Sequence, residues 1–153
     1  MRMHVETLLA MTPDVLALAA TASADGHGNV QRLVEEFVEG TNRFDRPGEI
    51  LLAAYAGDIL VGVGGLNVDP YAADTAVGRV RRLFIAPPYR KSGVARALME
   101  QIEAVARSHF ERIQLFTGTV EADRFYRAVG YRQVTDLGPK VSHEKVFAVG
   151  TGV

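Results

Sequence analysis

The chain has 153 residues, of which 48% are hydrophobic, and a formal net charge of −1 at pH 7. That fits one domain with a real core and gives no general attraction to nucleic acid or to an anionic membrane surface. There is no cysteine, which excludes disulfides, thiolate metal sites and a cysteine nucleophile, and no metal is expected. No apolar run approaches the ~20 residues that cross a bilayer, and the N-terminus lacks a signal-peptide pattern, so a cytoplasmic protein is expected.

Residues 3–9 predict a first strand. Thr12-Pro13-Asp14 reads as a helix start, with a capping hydroxyl, proline at the first helical position and an acid in the first turn, and the helix should run through Ala20. Ser23 to Asn29 is glycine-rich and polar, hence a loop. Asn29 is suited to cap a second helix with an apolar face of Val30, Leu33, Val34, Phe37 and Val38. Glu35 and Glu36 then fall on its solvated side, and Gly40 stops it. Thr41 to Gly48 is a polar connection. Ile50–Tyr55 and Ile59–Leu66 flank Ala56-Gly57-Asp58 as a β-hairpin. Asn67 to Thr75 is a longer loop, in which Asn67-Val68-Asp69-Pro70-Tyr71 is good turn chemistry.

The next strand, Ala76 to Ile85, ends on the apolar residues Leu83, Phe84 and Ile85 and is stopped by Pro87-Pro88. Arg90, Lys91, Ser92, Gly93, Val94, Ala95 and Arg96 follow and open a long helix, Gly93 to His109. Val94, Leu98, Ile102 and Val105 lie on one side of that helix, and Arg96, Glu100, Glu103 and Arg107 are expected at solvent. Strand, tight turn and helix N-terminus in this order build an anion cradle, because the first N–H groups of a helix lack intrahelical partners and the macrodipole is positive there. Arg79, Arg81, Arg82, Arg90, Lys91 and Arg96 fall within 18 residues, a field that suits a polyanion. Arg112 to Phe116 is a further strand, followed by a Thr117-Gly118-Thr119 break. A short helix then carries Ala122, Phe125, Tyr126 and Val129 and ends at Gly130. Tyr131–Val134 and Glu144–Val149 complete the strands around an Asp136–Ser142 loop. The order β-α-α-β-β-β-α-β-α-β-β describes a single α/β domain, 1–153, with one mixed sheet and a binding core at 76–131.

Two of these stretches carry a resemblance. Arg90-Lys91-Ser92-Gly93-Val94-Ala95, after a strand that ends in proline, resembles the coenzyme A signature of the GCN5-related N-acetyltransferases (GNAT family): Arg or Gln, two residues, Gly, one residue, then Gly or Ala. Leu115 to Tyr131, with Ala122, the Phe125-Tyr126 pair and Gly130-Tyr131, resembles the family's second hallmark. The resemblance covers Ile50 onward. It implies the acyl-CoA N-acyltransferase fold, a central mixed sheet flanked by helices, with parallel strands that splay around the cofactor. It implies acetyl-CoA as donor and the primary amine of a small molecule or peptide as acceptor. N–H groups from Lys91 to Arg96 would then hold the pyrophosphate, the backbone of Leu83, Phe84 and Ile85 would bind the pantetheine arm, and Thr117 and Thr119 would lie beside that arm. Thr119 stands where many relatives carry Asn. Tyr126 matches the family tyrosine near the cofactor sulfur and is expected as general acid, with Phe125 packed in the core.

The base is open. A lysine-like amine with a pKa of about 10.4 is neutral at pH 7 in roughly 1 molecule in 2,500, an obstacle of about 4.6 kcal/mol. Many relatives place a Glu on the strand before the cradle, where this chain has Arg79 and Arg81, and an arginine stays protonated. Asp69 and His143 are the remaining base candidates. Asp45, Asp69, Asp74 and Asp136 form an acidic set that suits a cationic amine. The alternative to an enzyme is a non-catalytic acyl-CoA-binding module of the same fold, and residue types also admit a longer acyl donor. A homodimer is a common family arrangement.

Overall fold

The computed structural model describes residues 2–147. In chain order the elements are β1 (Met3–Thr7), α1 (Pro13–Ala24), α2 (Asn29–Glu39), β2 (Ile50–Ala56), β3 (Ile59–Val68) and β4 (Val77–Ile85). A 3-10 turn (Pro87–Tyr89) leads to α3 (Val94–Arg107), β5 (Arg112–Leu115), α4 (Val120–Ala128), β6 (Arg132–Gln133) and β7 (His143–Val146). The seven strands form one sheet in the order β1-β2-β3-β4-β5-β7-β6. The β4–β5 pair is parallel and its neighbours are antiparallel, so the sheet is mixed, as the sequence predicts.

Strand alternation sends each β2 residue to one of two cores. Leu51 and Ala53 meet Val15, Leu18 and Leu33 of α1 and α2, whereas Leu52 and Ala54 meet Leu98, Met99 and Ile102 of α3. Burial on both faces explains why Ile50–Ala56 reads as an unbroken apolar run rather than an alternating one.

The feature that positions the site is a bulge in β4. Val63 of β3 pairs with Phe84, and Gly65 pairs with Arg81, so Arg82 and Leu83 together oppose Gly64. Arg82 takes φ +61° to accommodate this. β4 pairs with β5 only from Val77 to Arg79, so the two parallel strands have already parted where the bulge begins. Asn29 Nδ2 donates to Leu83 O at 3.2 Å, fastening the start of α2 to the bulge.

Several expectations are corrected. Asn29 is the first residue of α2 and not its cap; Gly28 holds the cap position without a side-chain bond, because the Asn29 amide is drawn to Leu83. α1 runs past Ala20 to Ala24, since Thr21-Ala22-Ser23-Ala24 contains no breaker and Ala22 is buried. β1 stops at Thr7 and β6 spans two residues. Glu103 is buried rather than solvated: Tyr131 Oη donates to it at 3.0 Å and Lys145 Nζ at 2.7 Å. The final strand is His143–Val146, and its expected extension through Val149 lies outside the described residues.

Gly65 is required by packing. A Cβ there would lie 2.3 Å from Phe44 Cε1, and Phe44 is itself buried with φ +54°, so it has little freedom to yield. Gly65→Ala should destabilise the protein by about 1–3 kcal/mol through overpacking, read as a lower urea midpoint at constant slope.

Candidate active site

β4 and β5 run parallel, and the segments that leave their C-terminal ends carry both sequence motifs. After β4 the chain turns through Pro87–Tyr89, adopts φ +60° at Lys91 and +90° at Gly93, and enters α3. Among the described residues, the backbone N–H groups of Lys91, Ser92, Gly93, Val94, Ala95 and Arg96 have no acceptor; the first helical bond runs from Ala97 N to Gly93 O at 3.0 Å. Six successive free donors at a helix start are the physical content of an anion cradle. Nothing lies within 4 Å of a Cβ built on Gly93, so its backbone angle, not crowding inside the protein, is what calls for glycine.

The cations of this loop divide. Arg90 folds back, with Nε on Ile85 O at 3.1 Å, its guanidinium on Asp25 at 2.6 Å and its plane over the Phe84 ring. It therefore braces the loop against the strand end and α1, while Lys91 and Arg96 stand exposed. The Ser92 hydroxyl donates to Tyr89 O. Along the strand itself, Asn29 and Arg90 already donate to the carbonyls of Leu83 and Ile85, one bond each.

After β5, Thr119 caps α4 by accepting the Ala122 N–H at 3.2 Å. Phe125 packs half-buried against the core, as expected, and Tyr126 is buried as well: its ring is 6% exposed, edge-on to Tyr131 and Phe125. The helix turns Tyr126 toward Tyr131 and, on β7, His143, with Phe125 beside it. The Tyr126 hydroxyl has no hydrogen bond among the described residues, yet it is not one of the sealed polar atoms, which are Asn29 Oδ1 and Arg82 Nε. Burial pushes its phenol well above the ordinary range, so the group stays protonated.

His143, a base candidate in the sequence, is buried at 1% exposure. Its Nε2 lies 2.7 Å from Asp123 Oδ1 on α4 and its Nδ1 lies 2.8 Å from Ser142 Oγ. Hydrogen bonds from Arg127 and then His143 hold the Asp123 carboxyl below its usual value, and a carboxylate only accepts, so His143 donates its Nε2–H to Asp123 while Nδ1 faces the Ser142 hydroxyl. Ser142 Oγ also accepts the Thr117 N–H at 2.8 Å. Both imidazole nitrogens are thus engaged, and the ring clasps α4 to β7 beside Tyr126, 6.0 Å between ring centres.

Asp69 is engaged as well. Oδ1 accepts the Tyr71 N–H at 2.8 Å and Oδ2 pairs with Arg79 at 3.1 Å, both side chains being buried. Arg79 also donates to Lys140 O and packs under the Tyr71 ring, tying the 69–75 loop to the 136–142 loop. A cavity of about 450 Å³ between these loops is lined by Asp69, Tyr71, Asp74, Arg112, Gln114 and Lys140. Of the expected acidic set only Asp69 and Asp74 line it, and Asp74 Oδ1 accepts the Ala76 N–H at 2.8 Å; Asp45 and Asp136 are exposed and not part of the lining. Glu36, expected at solvent, instead pairs with Arg82 at 2.8 Å. No local pattern reveals that contact, since its partner lies far along the chain.

Tyr131 shares the raised pKa of Tyr126, through burial and the neighbouring Glu103. A phenol raised in the fold stabilises it fully below its unfolded value of about 10, and that stability is lost as pH climbs above it. Alkaline titration should therefore show these two phenolates appearing late and together with loss of tertiary circular dichroism; early, reversible ionisation of both would contradict their burial.

Residues 18–131 match the acetyltransferase (GNAT) family. Over 97 residues the chain is 31% identical to an IAA acetyltransferase of Azospirillum brasilense, covering 61% of this chain and 61% of that protein. Among solved structures, a candidate acetyltransferase from Exiguobacterium sp. 255-15 superposes with TM-score 0.84 at 26% identity, over 95% of this chain and 94% of that one. The PaiA N-acetyltransferase of Thermoplasma acidophilum, solved with coenzyme A, has the same fold, with TM-score 0.66 at 17% identity over 96% and 100% of the two chains. The matched span contains the β4 bulge, the free amides at the start of α3 and Tyr126, and on that match the chain belongs to the GNAT family of acetyltransferases.

Proposed function

We propose that this protein transfers an acetyl group from acetyl-CoA to the amine of a small molecule or peptide by direct attack. One observation carries the reading: the six unpaired amides from Lys91 to Arg96, at the end where β4 and β5 part. Those donors suit a pyrophosphate, and Lys91 and Arg96 add positive field beside them. The free edge of β4 past Arg79 is available for an extended pantetheine arm to pair with as an added strand. Leu83 O and Ile85 O each keep a second lone pair for it.

The Tyr126 hydroxyl, protonated and without a partner among the described residues, suits the role of donor to the departing thiolate. In the step itself the amine nitrogen bonds to the thioester carbon, the C–S bond breaks with its electrons on sulfur, Tyr126 protonates that sulfur, the surplus amine proton passes to solvent, and Tyr126 regains a proton from solvent before the next turnover. Asp69 and His143, read from sequence as bases, have their acid–base atoms committed to Arg79 and to Ser142 and Asp123. Deprotonation of the amine before attack is therefore assigned to water. The clasp formed by His143 positions α4 and hence Tyr126.

A non-catalytic acyl-CoA-binding module is favoured by one observation, the arginines at 79 and 81 where a carboxylate would serve as base. Thiol release from acetyl-CoA over a panel of polyamines, amino acids and peptide N-termini decides between the two readings. Tyr126→Phe is expected to lower kcat by about 10²-fold, the scale of a lost general acid, with nearly unchanged acetyl-CoA affinity; equal turnover removes Tyr126 from the chemistry. Gly93→Glu should weaken acetyl-CoA binding by at least tenfold, about 1.4 kcal/mol, in calorimetry. Gly93→Asn, which tolerates the left-handed backbone, should bind more tightly than Gly93→Glu. Unaltered affinity in Gly93→Glu refutes the cradle.

A further inference from the structure

The class of acceptor follows from three guanidinium groups at the β4 bulge, an inference that rests on the transferase reading above. Arg79 is paired with Asp69 at 3.1 Å and Arg82 with Glu36 at 2.8 Å. Arg81 has neither an ion pair nor a hydrogen bond among the described residues, although it is half-buried. Burial, and then the charge of Arg82, depress its affinity for its own proton. The one carboxylate that acts on it, Glu36, is already paired with Arg82. One guanidinium is in excess, partly desolvated and without an acceptor for its donors. In a finished site such a group has a counter-charge.

Its surroundings suit a ligand. Arg81 stands opposite Gly65 on β3, and cross-strand partners share a face of the sheet. Gly65 contributes no side chain, and the Phe44 ring lies over that position. Arg81 is thus on the α1–α2 side of the sheet. It lies just past Arg79, where pairing with β5 ends, and just before the bulge and the Leu83–Ile85 edge. Tyr71, exposed at 52%, stands on the side of the neighbouring loop.

We propose that Arg81 receives a carboxylate of the acceptor, so that the acceptor is an amine that also carries a carboxylate, an amino acid or a similar zwitterion, held with its nitrogen toward the gap between β4 and β5. A guanidinium is planar and presents paired N–H donors that match the two oxygens of a carboxylate. The donor's phosphates have their own amides at the start of α3 and leave Arg81 to the other substrate. The carboxylate is unchanged by the reaction and serves to orient the amine.

The test compares amino acids with their carboxamides as acceptors, using wild type, Arg81→Gln and Arg81→Lys. The amine of a carboxamide is the less basic of each pair, so any bias from amine protonation runs against the proposal. The acid should be preferred roughly 10- to 100-fold in kcat/KM, the range of a hydrogen-bonded charge pair, with most of the difference in KM. Arg81→Gln should abolish the preference and Arg81→Lys should retain part of it, while acetyl-CoA affinity in calorimetry and the melting temperature stay at wild-type values. Carboxamides used as well as acids, or an Arg81→Gln defect in acetyl-CoA binding in place of acceptor use, would overturn the assignment. If no acceptor turns over, binding of the same acids is measured by thermal shift in wild type and Arg81→Gln. Binding that Arg81→Gln loses supports the proposal, and absence of binding rejects it. Acetyl-CoA calorimetry separates the two failures: a chain that binds the thioester but ignores carboxylates loses this inference alone, and one that does not bind it loses the transferase reading.

Discussion

The two residues that oppose Gly64, Arg82 and Leu83, are the constraint on which the site depends. An extra residue in one strand leaves backbone groups unpaired, bends the strand and increases its twist. Here it lies just past the last β4–β5 pair, at Arg79, on the stretch of β4 that forms an edge in the sheet's own interior. Such an edge would be a liability in most proteins, because unpaired strand groups invite other chains. In this fold it is guarded from one side by Asn29, whose amide reaches Leu83 O, and at the strand end by Arg90, which covers Ile85 O. The same bulge changes the alternation of β4, so that Arg81 and Arg82 come together on one side and share the influence of Glu36.

Charge in this protein is managed by pairing at a distance. Glu36 with Arg82 and Glu103 with Lys145 join segments remote in sequence, Asp69 with Arg79 joins a loop to the strand that follows it, and Asp123 accepts a hydrogen bond from His143. Buried pairs of this kind contribute little net stability, since desolvation offsets most of their attraction, but removing one partner is costly. Their effect is positional: Asp69–Arg79 fixes two loops over the sheet, and His143 fixes the helix that carries Tyr126. Against that background the unpaired Arg81 is conspicuous.

Much of the architecture was legible along the chain because local signals agreed with the global fold. Thr12-Pro13 starts α1 with the cap it predicts, and the hairpin, the cradle turn and the Gly130 stop fall where turn chemistry puts them. The misplacements were of residues whose partners lie elsewhere. Asn29 has the chemistry of a cap, but a carbonyl 54 residues away competes for it. Glu103 and Glu36 sit at helical positions that look solvated, and Tyr131, Lys145 and Arg82 reveal otherwise. His143 reads from sequence as a candidate base, and α4 brings Asp123 against it.

The sequence alone determined the order of elements, the two motifs and the free amides of the cradle, because a strand, a turn and a helix start are set by residues within a few positions of one another. Tertiary structure decided which ionisable groups are available for chemistry. That depends on desolvation and on partners from distant segments, which periodicity and spacing cannot encode. It withdrew Asp69 and His143 into ion pairs and hydrogen bonds, turned Tyr126 inward, and left Arg81 without a partner.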